Sequence, residues 1–280
     1  MSYENIVRHI ISKGRDVEVR SGVRCRRVQG LTYSVRPSIF PLITSKQVNF
    51  FHIIIETLWY LSGNPSLDIL HLYKMKYWDV WENEAGEAVS KYGHWWRSFP
   101  SPGGPFDQVR HILEEARRSP MSRRLLVSAW EPEFASTVSL PPCHVMWHLI
   151  LDSARNTVGL HLHQRSCDVA VGLPYNTACY ALLLRIIARI LGREHDEFTH
   201  SIVDAHIYLG NPEGKYNHIP GLNTQLSRPS LPYPEVVLDA SLQNLEDFLA
   251  LLGKPVEHIA SMIRLENYHP HPAIRFEVMP

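Results

Sequence analysis

The sequence predicts a single α+β domain. Three observations carry that reading. Helix-like and strand-like segments alternate without the regular rhythm of stacked βαβ units. No glycine fingerprint follows a strand. No repeat, low-complexity tract or Gly/Ser-rich linker divides the 280 residues. That length would accommodate one large domain or two ordinary ones, and the missing linker selects one.

Taken in chain order, Asn49–Ser62 (NFFHIIIETLWYLS) is apolar nearly all round and is followed by Gly63 and Pro65. This predicts a buried helix with a glycine C-cap and a proline stop. Phe106–Arg118 alternates apolar and charged residues at helical spacing, as a surface helix does. Leu125–Trp130, Val145–Leu151 and Val158–His163 are short, bulky and apolar, and read as strands. Pro174, well suited to a first turn, opens a helix to Leu191. Ser201–Tyr208 is expected to be a strand and Leu242–Leu252 a helix.

Hydrophobic residues make up 45% of the chain and charged residues 20%, enough apolar material for a real core. Lys plus Arg total 28 and Asp plus Glu total 28, so no net field draws the chain to nucleic acid or to a membrane as its main partner. Tyr175–Leu191 is the longest apolar run, but Arg185 and Arg189 interrupt it, so it reads as a buried helix rather than a span. Cys25, Cys143, Cys167 and Cys179 form no CxxC pair, which argues against zinc and for free thiols in a reducing compartment. The N-terminal MSYENIVRHIISKGRD has no apolar core of a leader. A cytoplasmic location without a metal is the expectation.

Several residues stand out chemically. Glu56 lies inside the most apolar helix, where a carboxylate is paired, neutral or functional, unless that helix edge faces water. It is a candidate for proton transfer. Cys143 follows two prolines in Leu-Pro-Pro-Cys-His, at an element boundary. A lone Cys is more often a small buried hydrophobe, but Arg165, Arg123 and Arg124 could bind a phosphoester and stabilise a thiolate if they converged. His206 and Tyr208, two apart on a strand, share a face as a hydroxyl-binding pair or a packed aromatic pair. Asn176 could cap a helix or read a base with its donor and acceptor.

Together these segments resemble the thymidylate synthase family. Phe40-Pro41-Leu42-Ile43-Thr44-Ser45-Lys46 is similar to its FPLxTTK segment, and Glu56–Leu61 to its ELLWFL helix. Tyr92-Gly93-His94-Trp95-Trp96-Arg97 resembles YGxQWR, and Ser122-Arg123-Arg124 with Val127–Trp130 resembles SRRxxxSAW. LPPCH (140–144), QRSCD (164–168), GLPYN (172–176), DAHIY (204–208) and YHPHP (268–272) complete the series in order. The resemblance implies a large mixed β-sheet flanked by helices and a sheet-to-sheet homodimer with shared active sites. It implies a substrate, dUMP, and a co-substrate, 5,10-methylenetetrahydrofolate.

Carried over residue by residue, the resemblance makes Cys143 the nucleophile that adds to C6 of the pyrimidine and so activates C5. Arg20, Arg165 and Ser166 would hold the 5′-phosphate, with Arg123 and Arg124 reaching in from the other subunit. His206 and Tyr208 would bind the 3′-hydroxyl, and Asn176 would pair with the base. Glu56 and Tyr92 would handle protons. Trp78, Leu140, Asp168, Gly172 and Tyr175 would face the folate, with Asp168 also among the catalytic groups.

The chain departs from the pattern after Arg20, at Trp95, between Gly210 and Pro220, and in its tail, Phe276-Glu277-Val278-Met279-Pro280. Reductive methylation of dUMP to dTMP is the first expectation, since Trp78 is present. The altered tail and the YGHWWR segment favour the alternative, a deoxyuridylate hydroxymethylase. A cytidylate hydroxymethylase comes third, because that branch commonly carries Asp where Asn176 stands. A catalytically silent or RNA-binding homologue is opposed by the intact site residues and the balanced charge.

Overall fold

The structure is a computed structural model, and it describes residues 2–19 and 22–279. The chain begins with helix α1 (Tyr3–Lys13), hairpin strands β1 (Arg15–Glu18) and β2 (Arg24–Val35), and helix α2 (Phe50–Ser62). Short helices α3 (Asp68–Leu72) and α4 (Tyr92–Arg97) flank a 3₁₀ turn at Asp79–Trp81, and α5 (Gln108–Arg118) follows. Next come β3 (Leu126–Ser128), α6 (Pro132–Thr137), β4 (His144–Asp152), β5 (Thr157–Asp168), α7 (Gly172–Leu191) and β6 (Glu194–Gly210). The last part holds α8 (Ile219–Leu226), β7 (Glu235–Leu238), α9 (Leu245–Leu249), α10 (Val256–Met262) and β8 (Ile263–Glu266).

Six strands form one mixed sheet in the order β1-β2-β6-β5-β4-β3, and β7 pairs with β8 apart from it. Among the described residues only β5 and β6 run parallel, and helix α7 is the crossover that a parallel neighbour requires. The apolar faces of α2 and α7 cover one side of the sheet, with Trp59, Trp147, Tyr180 and Phe198 almost fully buried between them. The α+β expectation with a large mixed sheet therefore holds. Helix α2 starts at Asn49, whose side chain accepts the His52 N–H, and ends at Gly63 with φ of 76°. A side chain at Gly63 would be strained by that φ, and its Cβ would lie 2.6 Å from the Arg97 Cβ.

Several sequence expectations need correction. Leu242–Leu252 is helical only over α9, because Asn244 is extended and forms a capping box with Asp247 in the middle of the apolar run. Leu125–Trp130 narrows to the three residues of β3. Helix α5 starts at Gln108 because Asp107 caps it. Pro174 is the third residue of α7, not its opening: the Asp168 carboxylate already accepts the N–H groups of Ala170 and Val171 just ahead of the helix. Strands β5 and β6 are also longer than expected, so QRSCD and DAHIY lie inside strands. In α7, the two interrupting arginines reach backbone carbonyls, Arg185 that of Ile39 and Arg189 that of Asp239. Among the described residues no helix is long and apolar enough to cross a membrane.

Candidate active site

A cleft of about 950 Å³, at the upper end of small-molecule pockets, opens beyond the carboxyl ends of the parallel pair β5 and β6. It gathers Glu56, Trp78, Tyr92, Leu140, Cys143, Arg165, Ser166, Asp168, Gly172, Tyr175, Asn176, His206 and Tyr208, thirteen positions from widely separated parts of the chain. Arg123 and Arg124 are exposed just before edge strand β3 and do not line it. Arg20 lies outside the described residues.

The Cys143 backbone is fixed on both sides. Its N–H donates to the Tyr92 hydroxyl at 2.7 Å, and its carbonyl accepts the Arg165 N–H at 2.9 Å. The Arg165 guanidinium donates to the carbonyls of Pro141 (2.7 Å) and Pro142 (2.9 Å), which shapes the proline loop and leaves its other N–H groups for an anion. Burial pushes the Cys143 thiol above the ordinary cysteine value, while the Arg165 charge and the Tyr92 hydroxyl oppose the rise. The thiol is thus held at a defined place beside a cation.

Glu56 is 6% exposed, so the water-facing alternative does not hold. One carboxylate oxygen accepts the Trp78 indole N–H at 2.8 Å, and the other lies 3.6 Å from the Cys179 sulfur. Burial raises its pKa against those hydrogen bonds, which suits a group that exchanges a proton.

Asn176 is wired rather than free. Its amide nitrogen donates to His144 Nε2 at 2.6 Å, and its oxygen accepts from Gln164 Nε2 at 3.3 Å. The wiring has a definite polarity. The Ser166 carbonyl can only accept, so it fixes the Gln164 amide nitrogen at 2.8 Å. Gln164 Oε1 must then accept from His200 Nε2 (2.9 Å), and His200 Nδ1 from the Tyr33 hydroxyl (2.9 Å). His144 is neutral, its pKa lowered by burial to about 4, and its Nδ1 is buried without a partner. An amide expected to rotate to suit its ligand is held in one orientation.

His206 and Tyr208 do face the cleft together, their rings 5.1 Å apart and edge-on. Asp204 orients His206 through Nδ1 at 3.2 Å. The opposite wall is apolar and aromatic: Tyr77, Trp78, Trp81, Leu140 and Tyr175, with Val278 and Met279 from the tail. Tyr77 presents a buried hydroxyl without a partner there. The aromatic lining, with the Asp168 carboxylate beside it, suits a flat ring with polar edges. Trp95 is not part of the cleft; it is buried against Phe134 and Phe99.

His144, Gln164, Tyr60 and Tyr77 also line the cleft and were not singled out from the sequence. The first two sit within LPPCH and QRSCD, so their motifs were the available signal. Tyr60 lies inside the apolar run Asn49–Ser62, where it reads as core, and Tyr77 lies in no segment that composition distinguishes. His218 was missed as well. It is 1% exposed, with Nδ1 at 3.5 Å from Asp168 and Nε2 donating to the Glu277 carbonyl at 2.9 Å. Burial works to lower its pKa, but the Asp168 carboxylate and then the Glu277 carbonyl outweigh it and hold the imidazole above the ordinary value.

A thiol from the loop before β4, a cation from β5 and a wired amide from α7 meet in one cleft, an arrangement suited to covalent activation of a bound ring. The family model described as thymidylate synthase matches residues 1–280. The chain belongs to the thymidylate synthase family, whose members transfer a one-carbon unit from methylenetetrahydrofolate to dUMP. Among the described residues no cluster of His, Cys, Asp and Glu could hold a metal.

Proposed function

We propose that the protein reductively methylates dUMP to dTMP, with Cys143 forming the covalent bond to C6 and methylenetetrahydrofolate supplying both the carbon and the hydride. The observation that carries this reading is the apolar lining that the tail adds to the cleft. Val278 and Met279 line it together with Trp78 and Trp81, and excluding water favours hydride over hydroxide at the new exocyclic carbon. Arg165 and Ser166 are the phosphate group's anchors, His206 and Tyr208 take the 3′-hydroxyl, and Asn176 reads the base. Glu56 and Tyr92 carry the protons, and Asp168, Leu140, Gly172 and Tyr175 face the folate.

The same reading makes the active unit a homodimer. The sheet face turned away from α2 and α7 is bare of helices and exposes Ile150 (63%) and Val203 (64%) among Thr32, Ser34, His161 and Ser201. Such a face is a natural partner for its own copy, and it would let Arg123 and Arg124 reach a neighbour's cleft.

The test is to incubate the protein with dUMP and methylenetetrahydrofolate and to weigh the nucleotide. A methyl product with stoichiometric dihydrofolate is expected. A hydroxymethyl product, heavier by one oxygen and without dihydrofolate, overturns the assignment. For the dimer, mixing Arg124→Ala with Cys143→Ser subunits should restore activity in hybrid sites; no rescue after demonstrated subunit exchange counts against it.

A further inference from the structure

The segment from Gly210 to Tyr216 departs from the family pattern and is built as a compact turn. Asn211 closes it through its carbonyl to Gly214 N–H (2.9 Å) and its side chain to Lys215 N–H (2.9 Å). At the end of this turn Tyr216 adopts φ of 61°, a left-handed conformation that a non-glycine residue rarely takes. That conformation aims its N–H at Glu277 Oε2, 2.6 Å away. Two residues on, His218 donates from Nε2 to the carbonyl of the same Glu277 and keeps Nδ1 at 3.5 Å from Asp168.

Glu277 is thus gripped at both its side chain and its backbone, immediately before Val278 and Met279 enter the cleft. The preceding residue is seated too. Phe276 stands edge-on to His218 (5.2 Å) and under the Lys46 ammonium (4.5 Å), over Gly221, where an added Cβ would come within 2.6 Å of the ring. Lys46 in turn donates to the Ala170 carbonyl, beside the turn that Asp168 caps. The tail and the Asp168 turn therefore share one imidazole.

We propose that His218 is a positioning residue that couples the tail to Asp168, with the Tyr216 turn as the receiver that keeps Val278 and Met279 over the cleft. It acts on the folate side of the reaction proposed above and rests on that reading for its substrate. While the tail is seated, the exocyclic carbon takes hydride from the folate, the C6–Sγ bond breaks to return Cys143 as thiolate, and dihydrofolate is left. When the tail lifts, water supplies hydroxide to that carbon and releases its remaining proton to solvent, the C6–Sγ bond breaks in the same way, and tetrahydrofolate is left.

The two imidazole nitrogens can be removed separately. His218→Asn keeps a group at the reach of Nδ1 and loses the tail contact, whereas His218→Gln keeps an N–H at the reach of Nε2. With dUMP and methylenetetrahydrofolate, His218→Asn should raise the folate KM about tenfold or more, the size of one lost hydrogen bond to a charged or buried partner. It should also divert product toward hydroxymethyl-dUMP, with dUMP binding unchanged. His218→Gln should restore most of the product ratio. Independently of turnover, peroxide oxidation of Met279 can be timed against Met121, which is 77% exposed in the same molecule. Met279 should oxidise more slowly than Met121 in the parent and in His218→Gln, and approach Met121 in His218→Asn. Equal Met279 protection in the parent and His218→Asn overturns the proposal, as does a dUMP affinity that falls as far as the folate KM rises. If the parent turns over neither substrate, the proposed reaction fails while the oxidation comparison still decides the coupling.

Discussion

Around Cys143 the cleft is built from regular elements, and at the opposite wall it is built from turns and a tail. Gln164 and Ser166 ride on β5, His206 and Tyr208 on β6, and Asn176 in the second turn of α7. The polar groups of Asn176, Gln164 and the Ser166 carbonyl are joined in a chain of hydrogen bonds that runs inward through His200 to Tyr33. The facing wall takes Trp78 and Trp81 from a 3₁₀ turn, Leu140 from a loop, and Val278 (40% exposed) and Met279 from the tail. Groups that must meet a nucleotide at fixed angles are placed where backbone hydrogen bonds restrain them. The facing wall comes from turns, a loop and the tail, outside the regular elements, and is held by side-chain contacts such as those at Glu277 and Phe276. On the proposed reading the chemistry divides as well: activation of the pyrimidine belongs to the side built from strands and α7, and the fate of the transferred carbon to the side built from turns and the tail.

The largest effect is expected on the side built from strands and α7. Cys143→Ser should reduce turnover by at least about 10³-fold, since a hydroxyl has no comparable anion near neutral pH. Equilibrium binding of dUMP should survive. Turnover near the parent rate would remove Cys143 from the mechanism and erase the distinction between the two sides.

Next is the wired amide. Asn176→Asp removes the N–H groups that meet His144 and a pyrimidine O4, and should shift preference from dUMP toward dCMP. The change should be about 1–3 kcal/mol, or roughly tenfold to a hundredfold in the ratio of kcat/KM values. Because Gln164 fixes the amide, Gln164→Glu should weaken the same discrimination without touching the base directly. A parent enzyme that already prefers dCMP sinks the base-reading role.

A smaller effect tests the electrostatics of the thiol. Arg165 favours the thiolate against burial, so Arg165→Gln takes that charge away, raises the thiol pKa further and lowers the thiolate fraction at any given pH. Alkylation of Cys143 by iodoacetamide at about pH 8 should slow by roughly tenfold. Unchanged kinetics would mean that Arg165 serves the anion and the proline loop only.

The smallest effect concerns the side built from turns and the tail. Gly221→Ala places a methyl group against the Phe276 ring, whose flexible seat can give way. The folate KM should rise a few-fold, roughly 1 kcal/mol or less, with dUMP affinity and the Cys143 alkylation rate unchanged. A matching loss of dUMP affinity would show that the two sides are not separable.

What the sequence determined by itself was the inventory. Apolar periodicity placed α2 and most of α7, because a buried helix must be apolar on the faces it covers. The motifs named Cys143, Arg165, Asn176, His206 and Tyr208, since each sits in a short segment whose residue types suit one task. Glu56 was legible because a carboxylate within an apolar helix needs a reason to be there. Local pattern failed where a single capping residue outweighed an apolar run, as Asn244 did in cutting α9 short. Tertiary structure alone decided the rest. Asn176 lost its rotational freedom to a Ser166 carbonyl and a His200 imidazole. Trp95, in a segment that pointed toward hydroxymethylation, turned into the core beside Phe134. His218 met both Asp168 and Glu277, residues 50 and 59 positions away. A hydrogen bond or ion pair reaches only a few ångströms, and which distant groups come within that reach is settled by how the sheet, helices and tail pack.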